Sequence, residues 1–317
     1  MFKNIKRIYN IIMLKKICAS NKIRNDTYHD ENQYLNLIND ILNNGDEFVG
    51  RNGNTLSIFG GVMHFDLSNN TIPILTTKKM AYKTCLKELL WFIRGCTNNE
   101  ELTKEGVHIW DGNSSREYLD SRGLTENKEG DLGPIYGFQW RHFNGEYKDC
   151  NSNYENEGID QLEYIIKILK NPETRNDRRL IMTAWNPCQL NKMALPPCHI
   201  LCQFNVTKNK YLSCSLYQRS GDVGLGVPFN ITSYSYLTHL IAHHCGLEAL
   251  EFIYNLGNTH IYEEHIDRLK EQVDEIAYEF PKITIKNKYE NINDYKIEDF
   301  EIKDYIFCKN IKLSMVV

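Results

Sequence analysis

Residues 198–246 constrain the fold more than any other tract of this chain. Two runs of strand-like alternation, 198–206 and 212–219, are followed by a glycine-spaced connection and then by an apolar run of helical period over 229–245. In the second run Leu212, Cys214 and Leu216 fall on one side of a pleated strand, and Ser213, Ser215, Tyr217 and Arg219 fall on the other. One face of that strand must meet a core, and Arg219 is expected to end it on the polar face. Gly246 supplies the stop for the long helix. A third alternating run spans 180–185, and helical periodicity recurs at Ile159, Leu162, Ile165, Ile166 and Leu169 and again over 82–94. Strands and helices mix without regular βαβ alternation, which predicts an α+β fold.

Length and charge narrow the class. The 317 residues, with no linker, repeat or low-complexity tract after about Gln33, read as one continuous domain over 31–317. Residues 1–30 stand apart: seven Lys or Arg (Lys3, Lys6, Arg7, Lys15, Lys16, Lys22, Arg24) face one acid, Asp26, up to Thr27. This basic, Asn/Lys-rich segment is expected to be a disordered extension. It matches an organelle presequence only in part, so targeting stays open beside a late start at Met13. The net charge of −4 gives no reason to expect a nucleic-acid surface. No apolar run approaches the roughly 20 residues that span a bilayer. Ten cysteines without scaffold-like spacing point to a reducing compartment, and a cytoplasmic location is expected.

Four pieces of chemistry stand out. Cys198 follows two prolines in Leu195-Pro196-Pro197-Cys198-His199, and Arg219 lies about twenty residues on. A thiol becomes a nucleophile as the thiolate, and a nearby cation favours that form. Projecting 82–94 as a helix places Glu88 off the basic face of Lys83, Lys87 and Arg94, so it is expected to be buried or to line a cavity. Such a carboxyl has a raised pKa and can carry protons near neutrality; the plainer alternative pairs it with an arginine. Arg51, Arg178, Arg179 and the Arg219-Ser220 pair form a phosphate-binding capacity. Adjacent strand residues point to opposite faces, so Arg178 and Arg179 cannot simply serve one side of the sheet, and a reach across a subunit contact would resolve that geometry. Finally, Gly221, Gly224 and Gly226 permit close backbone approach to a ligand, and Asn230 offers an amide that both donates and accepts.

With these pieces in place the chain resembles the thymidylate synthase family, of the eukaryotic type. The resemblance is carried by Glu88-Leu89-Leu90-Trp91-Phe92, Ile109-Trp110-Asp111, the run from Gly130 to Gly137, Gln139-Trp140-Arg141-His142, Asp177-Arg178-Arg179, the Cys198 run, the stretch from Tyr217 to Asn230, and His260-Ile261-Tyr262. It implies a large twisted mixed sheet with helices on one side, the other face forming a homodimer interface. It implies reductive methylation of dUMP to dTMP, with 5,10-methylenetetrahydrofolate as co-substrate and no metal. Cys198 would add to carbon 6 of the uracil, Glu88 and Tyr136 would move protons, Arg219 would serve both sulfur and phosphate, and Asn230 would hold the uracil edge. Arg51, Arg219 and Ser220 would bind the phosphate, with Arg178 and Arg179 supplied by the partner subunit. His260 and Tyr262 would hold the ribose. Folate contacts would come from Ile109, Trp110, Asn113, Asp222, Leu225, Gly226, Phe229 and Val316, with Lys78 at the glutamate tail.

The chain departs from the family pattern at its end, where Tyr305-Ile306-Phe307-Cys308-Lys309 and Met315-Val316-Val317 replace the usual Tyr-x-Pro-His-Pro and terminal Ala-Val. Three rival functions are weighed against the synthase reading. A hydroxymethylase of dUMP or dCMP would use the same fold, though Asn230 favours uracil over cytosine. A zinc module built on Cys198, His199, Cys202, His243, His244 and Cys245 lacks ribbon spacing, and alternation would put His199 on the face opposite Cys198 and Cys202. An inactive, RNA-binding relative is disfavoured by the presence of Glu88, Cys198, Arg219 and Asn230.

Overall fold

A computed structural model describes residues 29–50 and 53–315. The basic N-terminal segment, Arg51 and Val316 therefore lie outside the described residues. The helices are α1 (Asn32–Asn44), α2 (Tyr82–Ile93), α3 (Asn99–Lys104), α4 (Asp111–Ser114), α5 (Arg116–Ser121), α6 (Tyr136–His142), α7 (Gln161–Lys170), α8 (Gly226–Cys245) and α9 (Ile266–Val273). The strands are β1 (Asp46–Gly50), β2 (Gly53–Asp66), β3 (Ile181–Thr183), β4 (His199–Thr207), β5 (Tyr211–Asp222), β6 (Glu248–Tyr262), β7 (Lys282–Ile285) and β8 (Phe300–Lys303).

Six strands form one mixed sheet in the order β1-β2-β6-β5-β4-β3, and β7 pairs β8 separately. Every neighbour in the large sheet is antiparallel except β5 and β6, which run parallel, with α8 supplying the crossover between them. The α+β expectation and the mixed sheet agree. Leu212, Cys214 and Leu216 are fully buried beneath α8, as the alternation requires. On the opposite face Phe59 is 85% exposed and Val62 57% exposed, an unusual placement for large apolar side chains.

Helix α8 is apolar nearly all round because it runs through the core: only Gly226, Phe229 and His243 escape full burial. It begins at Gly226, ahead of the expected 229, because Pro228 sits in the first turn, where its missing N–H costs no intrahelical bond. Gly246 ends it in the left-handed conformation, φ 69°, donating its N–H back to Ala242 and His243.

Three other expectations change. Arg219 does not end its strand; β5 continues to Asp222 because parallel pairing with β6 persists through Ser220, Gly221 and Asp222. Arg178 and Arg179 sit in a turn before β3, so strand alternation does not govern them. A bulge between His199 and Leu201 breaks the alternation of β4, and both His199 and Cys202 turn inward. The Asn-rich stretch around 150–156 is a surface loop with an anchor: Tyr154 is buried edge-on to Phe138, and its hydroxyl accepts the N–H groups of Lys148 and Asp149.

Candidate active site

Cys198 lies at the entry to β4, where two chain segments fix its backbone. Its N–H donates to the Tyr136 hydroxyl at 2.8 Å, and its carbonyl accepts the Arg219 N–H at 2.9 Å. The Arg219 guanidinium donates from Nε to the Pro197 carbonyl (2.8 Å) and from Nη2 to the Pro196 carbonyl (2.9 Å). It also stands 5.7 Å above the Trp185 ring. The two prolines thus have a structural use: their carbonyls are the acceptors that hold Arg219 against the cysteine loop. Nevertheless, burial pushes the Cys198 thiol above its ordinary pKa, and the charge of Arg219 offsets this only in part. The expected depression of the thiol is therefore not found.

Tyr136 opens α6 and is 2% exposed. Its ring stacks on His199 at 4.0 Å and 14°, and leans on Phe92 of α2 at 5.0 Å. Two glycines bring it there. A Cβ on Gly133 would lie 2.1 Å from the Lys192 carbonyl oxygen, and one on Gly137 would lie 2.9 Å from that of Phe92. Only bare backbone lets the loop before α6 lie against the segment leading to Cys198 while α6 rests on the end of α2. A third, Gly257, lets β6 pass Arg219, whose carbonyl oxygen would stand 2.8 Å from a Cβ there.

Glu88 is buried on α2, and its carboxylate accepts the Trp110 indole N–H at 2.7 Å. Burial raises its pKa from 4.5 to about 7, the indole bond pulling the other way. The partner is thus an indole and not the arginine of the plainer alternative; among the described residues Glu88 forms no ion pair. Trp110 lies 6.1 Å from the Tyr136 ring, so Glu88, Trp110, Tyr136 and Cys198 form one continuous wall. His199 belongs to it too, and sequence reasoning weighed it only as a metal ligand. It meets the Tyr234 hydroxyl at 2.8 Å, and burial pushes its pKa down to about 3, which keeps it neutral.

A second group of the expected site residues lies at the turn from β5 into α8. Asp222 Oδ1 accepts the Gly224 N–H at 2.8 Å, Tyr34 donates to the Val223 carbonyl at 2.9 Å, and the Lys78 ammonium donates to the Gly224 carbonyl. Lys78 is 4% exposed, and burial pushes its pKa down to about 8 against the pull of Asp222 and Glu31. Its charge is spent on this turn, which is not where a solvent-facing contact to a glutamate tail would sit. Leu225, Gly226, Phe229, Ile109 and Asn113 are half-buried. The Asn230 side-chain amide, on a residue 9% exposed, has no hydrogen-bond partner among the described residues. His260 pairs with Asp222 across the parallel strands, donates from Nδ1 to Asn258 Oδ1 at 2.9 Å, and meets the Tyr262 ring at 5.3 Å and 87°.

Arg178 and Arg179 are not brought to Cys198. Both are exposed; Arg179 is held by its own Asp177 (Nη2 to Oδ2, 2.7 Å), and the Arg178 carbonyl accepts from Gln203. Gln203 is five residues along β4 from Cys198, or ~16 Å at the rise of a strand. Among the described residues no group of three or more His, Cys, Asp or Glu is placed to hold a metal, and no helix is long and apolar enough to cross a membrane.

Comparison with known proteins extends the geometry. The family model described as thymidylate synthase matches residues 32–317. The chain is 53% identical over 291 residues to the thymidylate synthase of Homo sapiens, covering 91% of each chain. It is 51% identical over 310 residues to that of Candida albicans, covering 90% of this chain and 98% of the other. It is also 52% identical over 292 residues to the bifunctional dihydrofolate reductase-thymidylate synthase of Leishmania amazonensis, where it matches through 91% of its own length but spans only 56% of that protein. With the family model covering all but the N-terminal segment, this chain belongs to the thymidylate synthase family.

Proposed function

We propose that the chain catalyses the reductive methylation of dUMP to dTMP, with 5,10-methylenetetrahydrofolate as co-substrate and dihydrofolate as the second product. The observation that carries this reading is the continuous wall of Glu88, Trp110, Tyr136 and Cys198. It sets a proton-carrying carboxyl and a buried phenol beside a half-buried thiol. Such a set suits addition of sulfur to an electron-poor ring carbon whose carbonyl then gathers charge.

In this reading Arg219 and Ser220, with Arg51, bind the phosphate, and His260 and Tyr262 bind the ribose. The free amide of Asn230 pairs with the uracil edge, where adjacent N–H and C=O groups need an acceptor and a donor. The Cys198 sulfur adds to carbon 6 and the displaced electron pair moves through carbon 5 towards the ring oxygen. Glu88, poised near neutrality, serves the proton traffic at that oxygen. The Tyr136 hydroxyl, fixed by the Cys198 N–H, assists loss of the carbon 5 proton. Because burial favours the protonated thiol, its proton passes to solvent as the sulfur adds to carbon 6.

The half-buried Asp222 carboxylate and the half-buried Ile109, Asn113, Leu225, Gly226 and Phe229, with Trp110, fit a flat heterocycle carrying polar edges, and Val316 would join them. The folate supplies the one-carbon unit and the reducing hydride. Arg178 and Arg179, remote from Cys198 in their own chain, would serve the phosphate of a second copy. The exposed Phe59 and Val62 on the outer sheet face support a homodimer. The nine cysteines of the described residues are unpaired, which supports a cytoplasmic location.

The test is direct. The protein is incubated with dUMP and methylenetetrahydrofolate while dihydrofolate absorbance is followed, with Cys198→Ser as control and the nucleotide product identified. Absorbance rise with dTMP, lost in the control, is expected. No rise in the unsubstituted protein, or hydroxymethyl nucleotide in place of dTMP, would overturn the proposal.

A further inference from the structure

His265 follows β6 in the turn that opens α9, and its side chain is wholly buried. Nε2 lies 2.8 Å from the Ser314 carbonyl oxygen of the C-terminal tail. A carbonyl can only accept, so Nε2 must carry the proton. Nδ1 has no hydrogen-bond partner and faces Asp222 Oδ1 at 3.8 Å. A neutral ring with its proton on Nε2 would aim a lone pair at that carboxylate; only the doubly protonated ring satisfies both sides.

The surroundings repeat the same connection. A Cβ on Gly224 would stand 2.6 Å from His265 Nδ1 and 3.2 Å from Leu313 Cδ1, so the turn from β5 into α8, the ring and the tail are in direct contact through bare backbone. The Ser314 hydroxyl donates to Glu264 Oε1 at 2.8 Å, and Glu264 Oε1 lies 3.6 Å from His265 Nε2. The Tyr262 ring closes the remaining side at 5.8 Å. Lys78 sits behind Asp222, its ammonium donating to the Gly224 carbonyl.

We propose that His265 is a positioning residue that fastens the C-terminal tail at Ser314 to the Asp222–Gly224 turn, so that the folate-facing carboxylate and the tail are held as one unit. This rests on the proposed function, in which Asp222 and Val316 of the tail meet the folate. The electrostatics agree: burial opposes a charge on the ring, but Asp222, the Ser314 carbonyl and Glu264 outweigh it and hold the pKa above its ordinary value. A histidine with a raised pKa contributes its docking below the unfolded value and loses it as pH rises through the folded one.

The experiment compares His265→Ala and His265→Gln with the unsubstituted protein. The glutamine amide can still donate to Ser314 but offers nothing to Asp222. Hydrogen exchange of the tail peptide 305–315 should quicken strongly in the alanine variant and much less in the glutamine variant. In steady state the KM for methylenetetrahydrofolate should rise roughly tenfold in the alanine variant, the effect of losing a hydrogen bond to a charged group, and more than the KM for dUMP. An alkaline fall of folate affinity is expected in the unsubstituted protein and should be absent from both variants. Equal tail exchange in all three, or equal losses for both substrates, would refute the positioning role. Absence of turnover in the unsubstituted protein would refute the proposed function instead, with the exchange result still deciding whether His265 holds the tail.

Discussion

Replacing Glu88 with Gln should stabilise the protein at alkaline pH and leave it catalytically impaired. The carboxyl titrates at about 7 in the fold against an ordinary 4.5, because ionising it means charging a buried group whose one visible compensation is the Trp110 N–H. For an acid whose pKa is raised, the fold binds the proton more tightly than the unfolded chain does. Stability is therefore lost as pH rises from the unfolded pKa, and the loss saturates above the folded one. With 2.5 units between the two values, at 1.36 kcal/mol per unit, the full cost is about 3 kcal/mol, and most of it accumulates between about pH 5 and pH 7.

Glutamine keeps the shape and an oxygen for the indole but cannot ionise. Its extra N–H donors carry a cost of about 1 kcal/mol if left unpaired, yet that cost is the same at every pH. The informative quantity is therefore the change in the stability difference with pH. Denaturant unfolding of both proteins at one protein concentration, at about pH 5 and about pH 8.5, should show that difference shifting by roughly 2–3 kcal/mol in favour of the variant. Turnover should fall by two orders of magnitude or so, as for loss of a general acid-base group. A stability difference that is flat across this range would refute the burial argument for Glu88.

Four further outcomes follow from the same geometry. Arg219→Ala removes the cation that partly offsets burial at Cys198, so the pH midpoint for alkylation of Cys198 by iodoacetamide should move up, not down, with intact-mass analysis locating the adduct. Tyr136→Phe strands the Cys198 N–H and should destabilise the protein by about 1–3 kcal/mol in denaturant unfolding, as well as slowing turnover. Asn230→Asp should move preference from dUMP towards dCMP, measured as the ratio of kcat/KM values, because a protonated or ionised acid suits a ring amine better than a ring carbonyl. Gly224→Ala would bring a methyl to 2.6 Å from His265, and should raise the KM for the folate more than that for dUMP in steady-state assays.

The sequence carried the elements and the identities of the chemical groups; it did not carry what places them. Periodicity located α2, α7, α8 and the strands around Cys198 and Arg219, because those faces are set by local geometry and a single core. The contacts that make a site join residues far apart in the chain: Glu88 with Trp110, Tyr136 with Cys198, His265 with Ser314. Several depend on glycines whose function is the absence of a Cβ at one crossing. Gly133, Gly137 and Gly257 look like any turn or strand glycine until the facing backbone is known. The bulge after His199 was equally hidden, since one extra residue reverses an alternation without altering composition.

Charge counting failed for a more general reason. From sequence, Arg219 near Cys198 argues for a thiolate, but desolvation depends on what surrounds the sulfur and is the larger effect here. The same burial holds Glu88 near neutrality and His199 uncharged. At the Cys198 end of the site the guanidinium therefore stands without a thiolate or an imidazolium beside it, with its Nε and Nη2 committed to Pro197 and Pro196 and with no ion pair among the described residues. On the proposed function, a preformed thiolate would weaken that field where the substrate phosphate is to be captured. A protonated thiol leaves it intact, so burial of Cys198 favours substrate binding first and nucleophile formation second. On that reading desolvation sets the order of events, and Arg219 would serve the phosphate and the sulfur in succession.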